Sequence, residues 1–157
     1  MCNAEERAIK NQRSLDRLAK TIVLSQGRFS LILARADRPQ LQREMVARLR
    51  EKVDLEIDEI HLSPNSQTLY STILAKLNQR GDARVPQAVV VFGLDGVIDL
   101  ERVLKSANLV RNEFVQHCPY PLCLWMADET LQKLRRFAPD LRNWAANPLK
   151  FYETDET

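Results

Sequence analysis

The chain has 157 residues, 45% hydrophobic and 28% charged, with only 4 Gly and 7 Pro. These are the values of one ordinary globular domain that buries roughly two-thirds of its unfolded surface, so collagen-like, low-complexity and wholly disordered chains are excluded. Lys and Arg number 23 against 21 acids, a net charge of +2, which argues against a strong polyanion binder and an acidic solvating chain alike. The cysteines, Cys2, Cys118 and Cys123, form no CxxC pair and suit free thiols in a reducing, cytoplasmic setting. No apolar run approaches the roughly 20 residues that span a bilayer, and Met1 to Lys10 is charged where a signal peptide needs an apolar stretch.

Along the chain, Ala4 to Leu24 places Ala8, Leu15, Leu18 and Ile22 at helical spacing among charges, and Gly27 stops that helix. Phe29 to Ala34 is a nearly continuous apolar run of strand length, which predicts a strand covered on both faces. Asp37, as cap, and Pro39 then open a helix from Gln40 to Lys52. Leu55 to Leu62 alternates apolar and polar residues, the pattern of a strand with one wet face near the sheet edge. A turn at Ser63 to Ser66 leads to a helix carrying Leu69, Ile73, Leu74 and Leu77, ended by Gly81. Ala88 to Phe92 is the most β-branched run and reads as a central strand. Asp99 caps a single helix reaching about Cys118, and after Pro119 and Pro121 the run Leu122 to Met126 is again a strand. The last helix, Asp128 to Phe137, starts on Asp128 as its cap, and Leu149 to Tyr152 adds a short strand. Strands alternating with helices over one domain length predict an α/β fold: a single three-layer domain, a mainly parallel sheet of four or five strands with helices on both faces. That domain occupies residues 1–151, and 152–157 form an acidic, flexible tail.

In open parallel sheets ligands bind at the carboxyl ends of the strands. After the first strand a nucleotide-binding domain offers glycines that cradle phosphate, then Lys and a hydroxyl residue. This chain instead offers Ala36, Asp37, Arg38 and Pro39, with no glycine, no amide hydrogen at Pro39 and a negative charge at Asp37. Arg35 and Arg38 are anion candidates, against the plainer reading of solvated arginines. Asp95 follows the third strand where an acid can hold magnesium through water, although Asp95-Gly96 is also a good turn dipeptide and that plainer reading is the favoured one. His117 and Cys118 are adjacent on a helix and point about 100° apart, which does not make a nucleophile and its base, and Cys123 sits inside a strand as a small hydrophobe. No spacing of His and Cys predicts a metal site. Lys133, Arg135, Arg136 and Arg142 spread around a helix with no interleaved aromatics, which suits a solvated face and argues against nucleic acid. Trp125 and Trp144 are expected in the core or at a contact.

The stretch Ser106 to Arg111, then Pro121 to Met126, then Leu131, Leu134, Phe137, Ala138, Pro139, Asp140, Trp144 and Leu149 to Phe151 resembles a block in certain bacterial proteins. Those proteins carry a STAND-type or AAA-like P-loop NTPase domain ahead of tetratricopeptide repeats. The resemblance implies a P-loop NTPase-like fold whose phosphate cradle has degenerated to Ala36, Asp37, Arg38 and Pro39. The repeats are not present before the sequence stops at Thr157, so it also implies a lone module or one piece of a larger machine. By the same resemblance Asn108 and Arg111 fall near a subunit or nucleotide edge, whereas a plain surface pair of Arg111 with Glu113 or another acid is as good an account. The expected function is a non-catalytic module that binds another protein or a second copy of itself, with no cofactor and no membrane. The alternative is a divergent ATP-binding domain or weak ATPase, with Arg35 and Arg38 on phosphates and Asp95 on magnesium.

Overall fold

The computed structural model describes residues 3–154. Cys2 and the end of the acidic tail, residues 155–157, lie outside the described residues. The elements in chain order are α1 (Ala4–Leu24), β1 (Ser30–Arg35), α2 (Pro39–Lys52), β2 (Ile57–His61), α3 (Tyr70–Asn78), β3 (Ala88–Phe92), a 3-10 turn (Leu94–Gly96), α4 (Leu100–Leu109), α5 (Arg111–His117), β4 (Pro121–Met126), α6 (Asp128–Phe137), α7 (Pro139–Asn143) and β5 (Leu149–Lys150). The five strands form one sheet in the order β2-β3-β4-β1-β5, and every pairing is parallel. Parallel neighbours require crossovers, and the helices of those crossovers cover both faces.

Alternate residues of each strand feed two separate cores. Ile32, Ala34, Val90, Cys123 and Trp125 pack under Leu15, Leu18 and Ile22 of α1 and Met45 and Leu49 of α2. Leu31, Leu33, Val91, Leu122 and Leu124 pack on the opposite side against α3, α4, α5, α6 and α7, with Phe114 and Leu134 fully inside. This is the three-layer α/β domain that the alternation of elements predicts. β2 lies at the edge its wet face calls for, and β3 lies inside the sheet between β2 and β4.

Four local expectations are corrected. The helix expected from Asp99 to Cys118 is two helices: at Val110 the backbone turns to φ −102, ψ 20, and the Arg111 guanidinium donates to the Asn108 carbonyl that the break releases, at 2.7 Å. Asp37 does not cap α2, whose cap is Arg38 with no side-chain bond. Asp128 is the first residue of α6 and not its cap. Tyr152, expected to begin a flexible tail, is fastened at its N–H and its C=O by the buried Asn11 side chain, at 2.7 and 2.8 Å.

Candidate functional site at the carboxyl edge of the sheet

β1 and β4 are neighbours, yet the chain leaves β1 for α2 on one face and β4 for α6 on the other. Such a divergence opens a crevice beyond the carboxyl ends of the strands, where ligands bind in open α/β sheets. Three loops meet there: residues 36–38 after β1, residues 93–99 after β3, and Ala127 after β4. The α6 helix starts at this edge, so its first amides point into the crevice with partial positive charge.

Those amides already have anionic partners from within the chain. The Asp128 N–H donates to Asp37 Oδ1 at 3.0 Å, and the Ala127 N–H is shared by both oxygens of Asp95 at 3.0 and 3.2 Å. Gln42, at only 2% exposure, bridges the other two loops by donating from Nε2 to the Ala36 carbonyl at 2.9 Å and to Asp95 Oδ2 at 3.2 Å. Arg35 lies between Asp37 and Asp128, with contacts of 3.5 and 3.4 Å. Burial works to raise the Asp37 carboxyl, but the Asp128 amide and then Arg35 outweigh it and hold the group below its ordinary value. The result is a cross-tied edge in which two carboxylates cap one helix from two different loops.

Glycine has a specific role beside this network. Gly93 takes φ +98, and a Cβ there would meet the Leu62 carbonyl oxygen at 2.7 Å. The close approach of β2 and β3 therefore requires this glycine, with the Leu62 N–H bonded to the Phe92 carbonyl at 2.9 Å. Beyond it a cavity of about 240 Å³ is lined by Pro39, Gln42, His61, Phe92 and Asp95. That is below the roughly 300 Å³ at which small-molecule pockets usually begin.

The other candidate residues are placed as follows. The Arg38 side chain is 74% exposed and lies 3.8 Å from the Glu153 carboxylate. Asn108 and Arg111 lie at the α4–α5 corner. That corner belongs to the amino end of the sheet, since α4 leaves the carboxyl end of β3 and runs back, and Phe114 of α5 packs on Phe29 just before β1. They are thus remote from a nucleotide edge. Asn108 Oδ1 accepts the Leu141 N–H at 2.9 Å, its Nδ2 donates to Asp140 at 3.2 Å, and Arg111 approaches the same carboxylate at 3.9 Å. This arrangement caps α7. Cys118 and Cys123 are buried, and burial pushes both thiols up, away from nucleophilic character. Lys133 pairs with Glu129 at 3.8 Å and Arg136 lies over Phe137 at 5.2 Å, as expected of a solvated helix face. Trp125 is fully buried and Trp144 is 40% exposed. Among the described residues no three His, Cys, Asp or Glu side chains converge as metal ligands would.

Sequence reasoning missed Gln42 and Asn11 and misassigned Asp37. Both missed residues had a signal: each is a polar side chain standing in the apolar register of its own helix, beside Leu41 and Met45 in α2 and between Ala8 and Leu15 in α1.

The five-stranded, all-parallel α/β fold matches that of AAA+/P-loop NTPase-like proteins. The chain superposes on a DNA polymerase III gamma subunit-related protein from Thermotoga maritima with a TM-score of 0.53 and 19% identity, covering 89% of this chain and 46% of that one. It also aligns with the Aeropyrum pernix ORC2 protein in its ADP form, with a TM-score of 0.47 and 14% identity over 94% of this chain and 47% of that one. The chain thus spans less than half the length of either structure. No protein-family model and no curated protein matches the sequence. No helix among the described residues is long and apolar enough to cross a membrane.

Proposed function

We propose that this chain is a non-catalytic NTPase-like module, a cytoplasmic protein-interaction or regulatory unit with a degenerate phosphate loop, of the kind that precedes tetratricopeptide repeats in bacterial STAND-type proteins. The observation that carries the reading is the cross-tied carboxyl edge. A triphosphate needs free amide donors and its magnesium needs free carboxylate oxygens. Here the amides of Ala127 and Asp128 hold Asp95 and Asp37, Asp95 is engaged through both oxygens, and Pro39 brings no N–H to the start of α2. Two carboxylates facing a polyphosphate add repulsion. These residues do not fit a nucleotide with magnesium. The partner is another protein or a second copy. Asn108 and Arg111 contribute to that contact by shaping the α4–α5 corner, from which Leu109 and Val115 project at 82% and 55% exposure.

Isothermal titration of the purified chain with ATP and magnesium tests the reading. No heat of binding is expected, and micromolar affinity or measurable turnover overturns it. One observation favours the runner-up, a divergent ATP binder: among the described residues the Arg38 side chain, 74% exposed, meets an acid only at a long 3.8 Å. In that case ATP raises the melting temperature and Arg38→Glu abolishes the shift.

A further inference from the structure

The far side of β1 is only half covered. β4 pairs with β1 from Ser30 to Arg35, whereas β5 pairs with it only at Ala34 and Arg35. In a parallel ladder the N–H and C=O of one residue point one way and those of the next residue the other. The Phe151 N–H donates to the Arg35 carbonyl at 2.9 Å, so Arg35, Leu33 and Leu31 turn their main-chain groups towards the β5 side. β5 does not reach Leu31, and among the described residues no loop or side chain supplies a hydrogen bond to its N–H or C=O there. An unpaired donor and acceptor on a strand edge form a template for one more strand.

A cleft of about 400 Å³ opens on this edge, walled by Arg17 and Thr21 of α1 on one side and by Trp144 and Asn147 on the other. It shares Ser30, Leu31 and Trp144 with a second hollow of about 390 Å³ that adds Arg28 and Val115. It also shares Arg17 with a third, which adds Lys10, Arg13 and Lys150. None of the described residues lining these three hollows is acidic, although the whole chain carries a net charge of only +2. Trp144 stands edge-on to Phe29 at 6.4 Å with 40% of its surface exposed. Half-exposed tryptophans and arginines of this kind dominate binding energy at interfaces.

We propose that this edge accepts an extended, acidic segment of a partner protein as an added strand beside the first half of β1, in line with β5. The open main chain supplies affinity without regard to sequence, the basic rim selects acidic side chains, and Trp144 anchors one end. A nucleic-acid strand would satisfy the charge but not the edge, because phosphates accept hydrogen bonds and cannot donate one to the Leu31 carbonyl. The proposal rests on the interaction-module reading and names its site.

The test uses a fluorescein-labelled seven-residue peptide alternating glutamate and threonine, its lysine counterpart, and an oligothymidylate of equal length. The glutamate peptide is expected to bind at micromolar concentration and to alter the emission of Trp144, while the buried Trp125 stays silent. Arg17→Glu combined with Arg28→Glu, both exposed positions, weakens binding at least about tenfold. N-methylating one alternate set of peptide amides abolishes binding and methylating the other set spares it, since only one set faces β1. Absence of binding, equal binding of the lysine peptide, indifference to methylation of either set, or preference for oligothymidylate overturns the proposal. A silent ATP titration beside a failed peptide removes this site alone, whereas nucleotide binding removes the module reading beneath it.

Discussion

At Asp37 one carboxylate stands near the start of two helices. It lies two residues before Pro39 of α2, but its oxygen accepts the Asp128 amide of α6, and Arg35 steadies it from behind. Its native pKa lies below the ordinary 3.8, so between the two values the unfolded chain binds more protons than the folded one. The stability this group contributes is fully present above about pH 4 and is lost as pH falls through the lowered native value. Asp37→Asn keeps an oxygen for the Asp128 amide and loses only the charge. It should therefore cost under about 1 kcal/mol at pH 7 and flatten the decline of stability as pH falls below the ordinary 3.8. Urea denaturation of both proteins across that range measures the difference. Glu59, also held low, is common to both proteins and cancels. Parallel curves would exclude Asp37 from acid-linked stability.

On the scale of elements, α1 is joined to the end of the chain through its polar position in an apolar stripe. Asn11 is 1% exposed and clasps both main-chain groups of Tyr152, and Ser14 adds a bond to the Lys150 carbonyl at 3.0 Å. This side chain extends the work of β5 by two residues beyond its last ladder pair. Asn11→Ala leaves the partly buried N–H and C=O of Tyr152 without their partners and should lower stability by about 1 to 2 kcal/mol. Gln12→Ala, on the exposed side of the same helix, should stay within about 0.5 kcal/mol. Equal losses in denaturant titrations would mean that the clasp contributes nothing. Elements were legible in the sequence wherever apolar periodicity decided them, and Ala88–Phe92 and Asp128–Phe137 agree residue for residue. The break at Val110 was not legible, because no Gly or Pro marks it and the Arg111 side chain compensates it. Nor were the caps of α6, whose partners lie 32 and 91 residues away in sequence. A cap supplied from another loop leaves no local pattern to find.

For the molecule as a whole, the order β2-β3-β4-β1-β5 puts β4 at the centre of a sheet buried on both faces, with Leu122 to Trp125 at 1% exposure or less. That the loop beyond β1, residues 36–39, holds no glycine and no amide hydrogen at Pro39 was readable in the sequence. That the edge would be tied shut by Asp37, Asp95 and Gln42 was not, since only the folded loops bring them together. The same geometry fixes how backbone protection is distributed. The Ala36 N–H donates to Met126 at 3.0 Å, so even-numbered residues of β1 face β4 and odd-numbered ones face β5. The amides of Leu122 to Trp125, and that of Ile32, are therefore expected to exchange with solvent deuterium only on global unfolding. The amide of Leu31, one residue earlier on the same strand but without a partner on its own side, should exchange at least about 100-fold faster, because it needs only local solvent entry into the cleft. Residue-resolved exchange by NMR reads this contrast directly. Matching protection at Leu31 and Ile32 would mean that the edge is already covered, which leaves no room for an added strand, whereas slowing of Leu31 alone on addition of the glutamate peptide would place the occupant on that edge.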